Sequence, residues 1–455
     1  MERAVNSIPS SDDRDPGQAV RVFRAILTAN FEFVLRRFEA DPAYPYVNTK
    51  YDVLSGQDFR ADDPVRGPGV VYGWIQGRGL EALAEWARWL ERDSALPPAE
   101  RRNQARRVRA MLRAVCDRME TVVGSLGGRL WFMFTPDGRL LRTDAGRVVP
   151  MDLPLPDAFN LSDVFYAKGL ADAADALQDA ALAALARDRM ERIWRDQAEG
   201  RFVSDQQPFD PKNPVLQVPG RHTLAGWMIG LGAMELFLRL TGDGRYLERG
   251  AVCLEQLLSR HTNLAATPAI GLPHDVWEYV DDRGQPYREG ALLRSDPGHA
   301  CEIVGLASKL CAAAGPAGAA LRGRLPVLGR MLRRNFANGF APSKLGMVKT
   351  FDLVARRPIN TDMPWWSMPE TMRAALYCGE EAAPEERPEF TRIFADCYGA
   401  FLQHYVRPER HSLAVQTLGA DGQPAAVIPA TPDADPGYHT GLSLLDCLRL
   451  LQQGG

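Results

Sequence analysis

The chain has 455 residues, 45% hydrophobic and 24% charged, with a formal net charge of -3. This composition excludes a disordered or fibrous chain and supplies enough apolar surface for a large core. A balance this close to neutral recruits neither nucleic acid nor an acidic membrane, so the expected partner is small or neutral.

The first residues, MERAVNSIPSSDDRDPG, are polar and lack the hydrophobic core of a signal peptide, and no later run reaches the length of a membrane span. These features predict a cytoplasmic protein without membrane contact, with residues 1–16 as a flexible segment and 17–455 as one domain. From residue 17 helical periodicity is nearly continuous, over roughly 17–40, 74–92, 98–126, 160–198, 222–241, 244–261, 297–314, 318–337, 366–380, 387–406 and 437–453. In the third of these, Arg102, Arg106, Arg109 and Arg113 share one face and Val108, Leu112, Val115 and Met119 another, the pattern of a solvated outer helix. Between the helices lie GGRLWFMFTPDGRLL, VWEYVDDRGQPY and LAVQTLGADGQPAAV, whose Asp137-Gly138, Arg283-Gly284 and Asp421-Gly422 pairs read as hairpin tips. Helix pairs alternating with hairpin-bearing connectors predict an all-α fold, a closed double ring in which inner helices surround a cavity and longer connectors form its rim. The seven cysteines are odd in number and never spaced as CxxC, so they read as reduced core residues and not as a disulfide frame or zinc site.

Titratable groups are placed unevenly. All seven histidines follow residue 221, and His222, His299 and His439 each open a helical stretch after Pro or Gly. His261, His274, His404 and His411 read as surface or packing residues. A helix start carries the positive end of the dipole, which predicts neutral imidazoles able to act as bases. In DPGHACEIVGLASKL, Asp296 can cap and Pro297 suits the first helical position. Counting from His299 then gives Glu302, Ile303, Leu306 and Leu310 on one stripe, so two titratable groups face the interior. For a lone pair the simpler reading is a buried histidine satisfied by a glutamate. In NTDMPWWSMPETMRAALY, Trp365 and Trp366 are either core plugs or a platform for the C–H face of a sugar, with Glu370 one turn beyond Trp366. Trp74 and Arg78 are likewise one turn apart.

Together these segments resemble the N-acylglucosamine 2-epimerase family, which includes cellobiose 2-epimerases and mannose isomerases, over roughly residues 25–452. PGHACE is similar to the family's PGHxxE, WWSMPE to its WWPxxE, and Gln76-Gly77-Arg78 to its Q-x-R. PGYHTG resembles the C-terminal YH that carries the partner base, and His222 falls where free-sugar members have an additional histidine. The resemblance implies an (α/α)6 barrel. The chain departs from the family at Val218 and Ala225, where an Asn and an acidic residue are usual, and at Thr440-Gly441-Leu442, which replaces the end of HxPR.

The implied reaction removes the C2 proton of an open-chain aldose. Two bases flanking C2 allow epimerisation, whereas one suffices for transfer to C1 and a ketose. His299 and His439 are expected as the facing pair, with Glu302 orienting His299 or assisting ring opening and His222 as a third contact near C1 and O5. Arg78 would stabilise the developing oxyanion, and Trp74, Trp365, Trp366 and Glu370 would contact substrate. No metal or cofactor enters this scheme. The expected substrate is a free aldose or reducing disaccharide, and the protein a monomer or homodimer. Alternatives are an aldose-ketose isomerase, an N-acylhexosamine 2-epimerase, a glycosidase or lyase drawing on Asp52, Asp163 or Glu370, and a non-catalytic carbohydrate-binding barrel.

Overall fold

The computed structural model describes residues 16–453 apart from 94, 153, 211–213, 266–269 and 429, so the expected flexible segment 1–16, except Pro16, lies outside the described residues. Twelve helices of eleven residues or more follow one another there: α1 (Pro16–Ala40), α2 (Gly73–Arg92), α3 (Pro98–Ser125), α4 (Leu161–Leu177), α5 (Ala180–Ala198), α6 (Ala225–Thr241), α7 (Gly244–His261), α8 (Pro297–Ala313), α9 (Leu325–Gly339), α10 (Ser367–Glu381), α11 (Arg387–Ala400) and α12 (Ser443–Gln453). The even-numbered helices pack side by side from α2 to α12, and the turn Tyr438–Leu442 closes the ring onto α2. The odd-numbered helices lie outside, each against an inner neighbour. This is an (α/α)6 barrel.

Sequence explains the two layers. Inner α4 and α8 are apolar on nearly every face and buried along almost their whole length, whereas outer α3 and α7 bury one stripe. Where α2 crosses α4 the backbones touch, because a Cβ on Gly169 would meet the carbonyl oxygen of Gly77 at 2.2 Å. On outer α3, Arg113 pairs with Asp179 at 2.8 Å and Arg109 donates to the Ala176 carbonyl, so the basic face is bound to the next helical pair. All seven cysteines are buried and free. No described helix is long and apolar enough to cross a membrane.

Connectors leading into the inner helices are long and gather at one end of the ring, while most of those leading out are short. The long ones carry the hairpins, and Gly138, Gly284 and Gly422 occupy the left-handed region at their tips. Several expected helices differ. The run 160–198 is two helices, broken where Gln178 turns left-handed and the Asp179 side chain caps α5. The run 387–406 leaves α-geometry at Phe401 for a wider turn, as does the entry to the last helix at Tyr438–Leu442. The run 222–241 is helical only from Ala225, because His222–Thr223 is a short strand paired with Tyr279–Val280.

Candidate active site

The N-terminal ends of the inner helices open on one cavity. Trp74 and Arg78 of α2, His299 and Glu302 of α8, Trp365 and Trp366 before α10, and His439 before α12 all line it. Glu370 does not: it is buried directly behind His439.

On one side, Asp296 caps α8 through the backbone N–H groups of Gly298 and His299, at 3.0 and 3.3 Å. Its other oxygen accepts from Lys349 at 2.6 Å. The next motif residue, Gly298, is required by close packing, since a Cβ there would lie 2.8 Å from the Trp366 ring. PGHACE and WWSMPE therefore meet at this point, and the His299 ring stacks on Trp366 with centroids 5.2 Å apart. Nδ1 of His299 lies 3.0 Å from Oε2 of Glu278. The expectation of a neutral ring here fails. Burial and Lys349 lower the His299 pKa, but Asp296 and Glu278 outweigh them and push the group up to about 9.

On the other side, Nδ1 of His439 lies 3.0 Å from Oε1 of Glu370, and the His439 ring is 5.6 Å from Trp366. Trp366 thus touches both histidines. Burial opposes charge on Glu370, yet Arg373 and His439 hold its pKa below the ordinary carboxylate value. Burial and the nearby Glu370 push Glu302 up.

Arg78 is enclosed by aromatic faces, its guanidinium carbon 4.9, 4.2 and 5.1 Å from the ring centres of Trp74, Phe165 and Tyr438. Among the described residues its buried Nε has no hydrogen-bond partner. This cation is held by ring faces, whose quadrupoles attract it without consuming its N–H groups. Trp74 donates its indole N–H to buried Asp205 at 3.3 Å. Gln76, the first residue of the Q-x-R motif, exchanges two hydrogen bonds with the Val47 backbone and serves the fold.

His222 is a correction. It is exposed, with Nε2 2.8 Å from Asp282 on the neighbouring hairpin tip, while Arg221 and Thr223 line the cavity. Side chains on a strand alternate between faces, and a helical period cannot express that alternation. Five charged cavity residues were missed as site residues: Arg221, Glu278, Arg294, Lys349, and Asp296, which was read only as a cap. Glu278 and Lys349 sit in WEYV and MVKTF, where a charge between apolar neighbours in a strand-like run was the available signal.

Among the described residues, one group has the spacing to hold a cation: Glu302, Glu370 and His439, whose ligand atoms lie within 4.8 Å of one another. In this group Oε2 of Glu370 already accepts from the Arg373 guanidinium.

The model of the N-acylglucosamine 2-epimerase (GlcNAc 2-epimerase) family matches residues 156–440, more than half of the chain. No curated protein matches. Similar solved structures include a sugar epimerase from a ruminal bacterium (TM-score 0.66, 13% identity, 96% of this chain and 99% of that one). A cellobiose 2-epimerase from Spirochaeta thermophila aligns with TM-score 0.65 and 15% identity over 95% and 98% of the two chains. A D-mannose isomerase aligns with TM-score 0.61 and 14% identity over 92% and 97%.

Proposed function

Because the chain belongs to the N-acylglucosamine 2-epimerase family, we propose that it is a sugar isomerase that takes the C2 proton from an open-chain aldose, with His299 and His439 as the two reacting groups. The observation that carries this reading is the pair of glutamate-histidine dyads against Trp366. A carboxylate that accepts from Nδ1 fixes the proton there and leaves Nε2 to act on substrate.

The dyads are not equivalent. With its pKa at about 9, His299 carries a proton at neutral pH and acts as the acid. His439 acts as the base, the enediolate oxygen rests against Arg78, and protonation of C2 from the opposite face by His299 gives the epimer. Return of the proton to C1 by His439 gives the ketose instead.

The argument from position 222 for an unmodified aldose lapses, since that histidine faces outward. Trp366 beside charged donors still suits a sugar ring. The wall formed by Leu161, Phe165, Ala225, Met228 and Ile229 is apolar and favours, as a second reading, a sugar whose acyl group packs there. A single barrel domain over 17–455, a cytoplasmic location and a monomer or homodimer remain part of this proposal.

Turnover in heavy water tests it. Deuterium should enter C2 of the product, and His439→Ala should abolish the exchange; exchange unchanged in both His439→Ala and His299→Ala places the base elsewhere. Glucose, mannose, cellobiose and N-acetylmannosamine compared side by side separate the two substrate readings.

A further inference from the structure

Glu302 and Glu370 reach the same histidine, with one oxygen of each within 4.8 Å of a His439 ring nitrogen and of one another. Two buried carboxyl groups this close do not both ionise readily, so one retains a proton. Arg373 breaks the symmetry. It lies one turn beyond Glu370 on α10, is itself buried, and donates to Oε2 of Glu370. Room for it is built into α8, where a Cβ on Gly305 would stand 3.0 Å from Arg373 Nε. Behind it, Asp446 of α12 lies 3.9 Å from the guanidinium.

We propose that Arg373 is a positioning residue that makes Glu370, the partner of His439 Nδ1, the carboxylate of the Glu302–Glu370 pair and leaves the proton on Glu302. The inference rests on the dyad reading above.

The other charged groups do not make this choice. His439, His299 and, less strongly, Arg373 favour charge on Glu302, and Arg78 of α2 acts on both carboxyls, but burial and Glu370 outweigh them and keep the Glu302 pKa up. Lys309 of α8 and Arg449 of α12 pair with Asp446 at 3.0 and 3.3 Å, and Glu235 of α6 lies 4.0 Å from Lys309. The Tyr377 hydroxyl accepts from Arg449. Those five groups pair with one another at the rear of the network, whereas Arg373 touches Glu370 directly. Direct contact in a buried site outweighs charge acting from a distance.

Infrared spectra at neutral pH test the proton assignment without any substrate. Glu302→Gln should remove one carbonyl band of a protonated carboxyl group from the wild-type spectrum. Retention of every such band overturns the proposal, whereas absent C2 exchange in the wild type would count against the reaction reading instead. Kinetics test the role of Arg373. Arg373→Met should lower kcat about 100-fold with KM changed less than about threefold. Loss of the neighbouring cation raises the Glu370 pKa, so the acid limb of the kcat profile should move up by about one pH unit or more, and Arg373→Lys should bring it back. A folded Arg373→Met enzyme with the wild-type limb overturns the assignment. Should that variant fail to fold, the infrared comparison decides.

Discussion

Glu278 holds Nδ1 of His299 at 3.0 Å although it comes from the connector before α8, twenty-one positions earlier in the chain. The contact fixes the orientation of the ring and, together with Asp296, retains its proton. Glu278→Gln should keep the geometry and remove the charge. We expect kcat to fall about 100-fold and the alkaline limb of the rate profile to move to lower pH, because His299 then loses its proton more easily. A rate profile with an unmoved alkaline limb would show that His299 is not the acid.

The same shift makes stability depend on pH. The folded His299 pKa of about 9 lies above the unfolded value of about 6.5, so its contribution is complete below about pH 6.5 and disappears as pH rises through about 9. At most about 3 kcal/mol is involved. Between pH of about 6 and 9.5, the wild type should therefore lose more Tm than His299→Gln. Parallel curves for the two proteins would contradict this.

His222→Ala should behave as a surface change. Its ring is exposed and its partner Asp282 more so, which limits the ion pair to less than about 0.5 kcal/mol. We expect kcat/KM within about twofold of wild type. A loss comparable to that of His439→Ala would return His222 to the active site.

Gly169→Ala tests the crossing of α2 and α4. The added methyl would meet the Gly77 carbonyl oxygen at 2.2 Å and Cβ of Leu80 at 2.9 Å, and backbone yields less readily than a side chain. Destabilisation of about 3 kcal/mol or more is expected by urea unfolding. Because Arg78 is next to Gly77, KM should rise as well; a neutral result would mean that the helices can separate without cost.

Local features carried much of the outcome. The 3.6-residue pattern marked most of the helices, including the outer helix α3 with its basic face, and the hairpin tips were legible as Asp-Gly and Arg-Gly pairs. His299, Glu302, Trp366 and His439 could be placed toward one cavity because each lies in the first two turns of an inner helix or just before it. Those relationships span a few residues, and backbone geometry alone transmits them.

What the tertiary structure decided was who meets whom across distant segments. His222 faces outward because its strand pairs with Tyr279–Val280, and that pairing requires a hairpin more than fifty residues away. Glu278 and Asp296 favour the proton on His299 against Lys349, and Arg373 pairs with Glu370, through contacts fixed only when α8, α10 and their connectors pack together. A pKa depends on burial and on every charge nearby in space, so the sequence by itself determined which groups can titrate and the packed barrel determined which of them hold a proton.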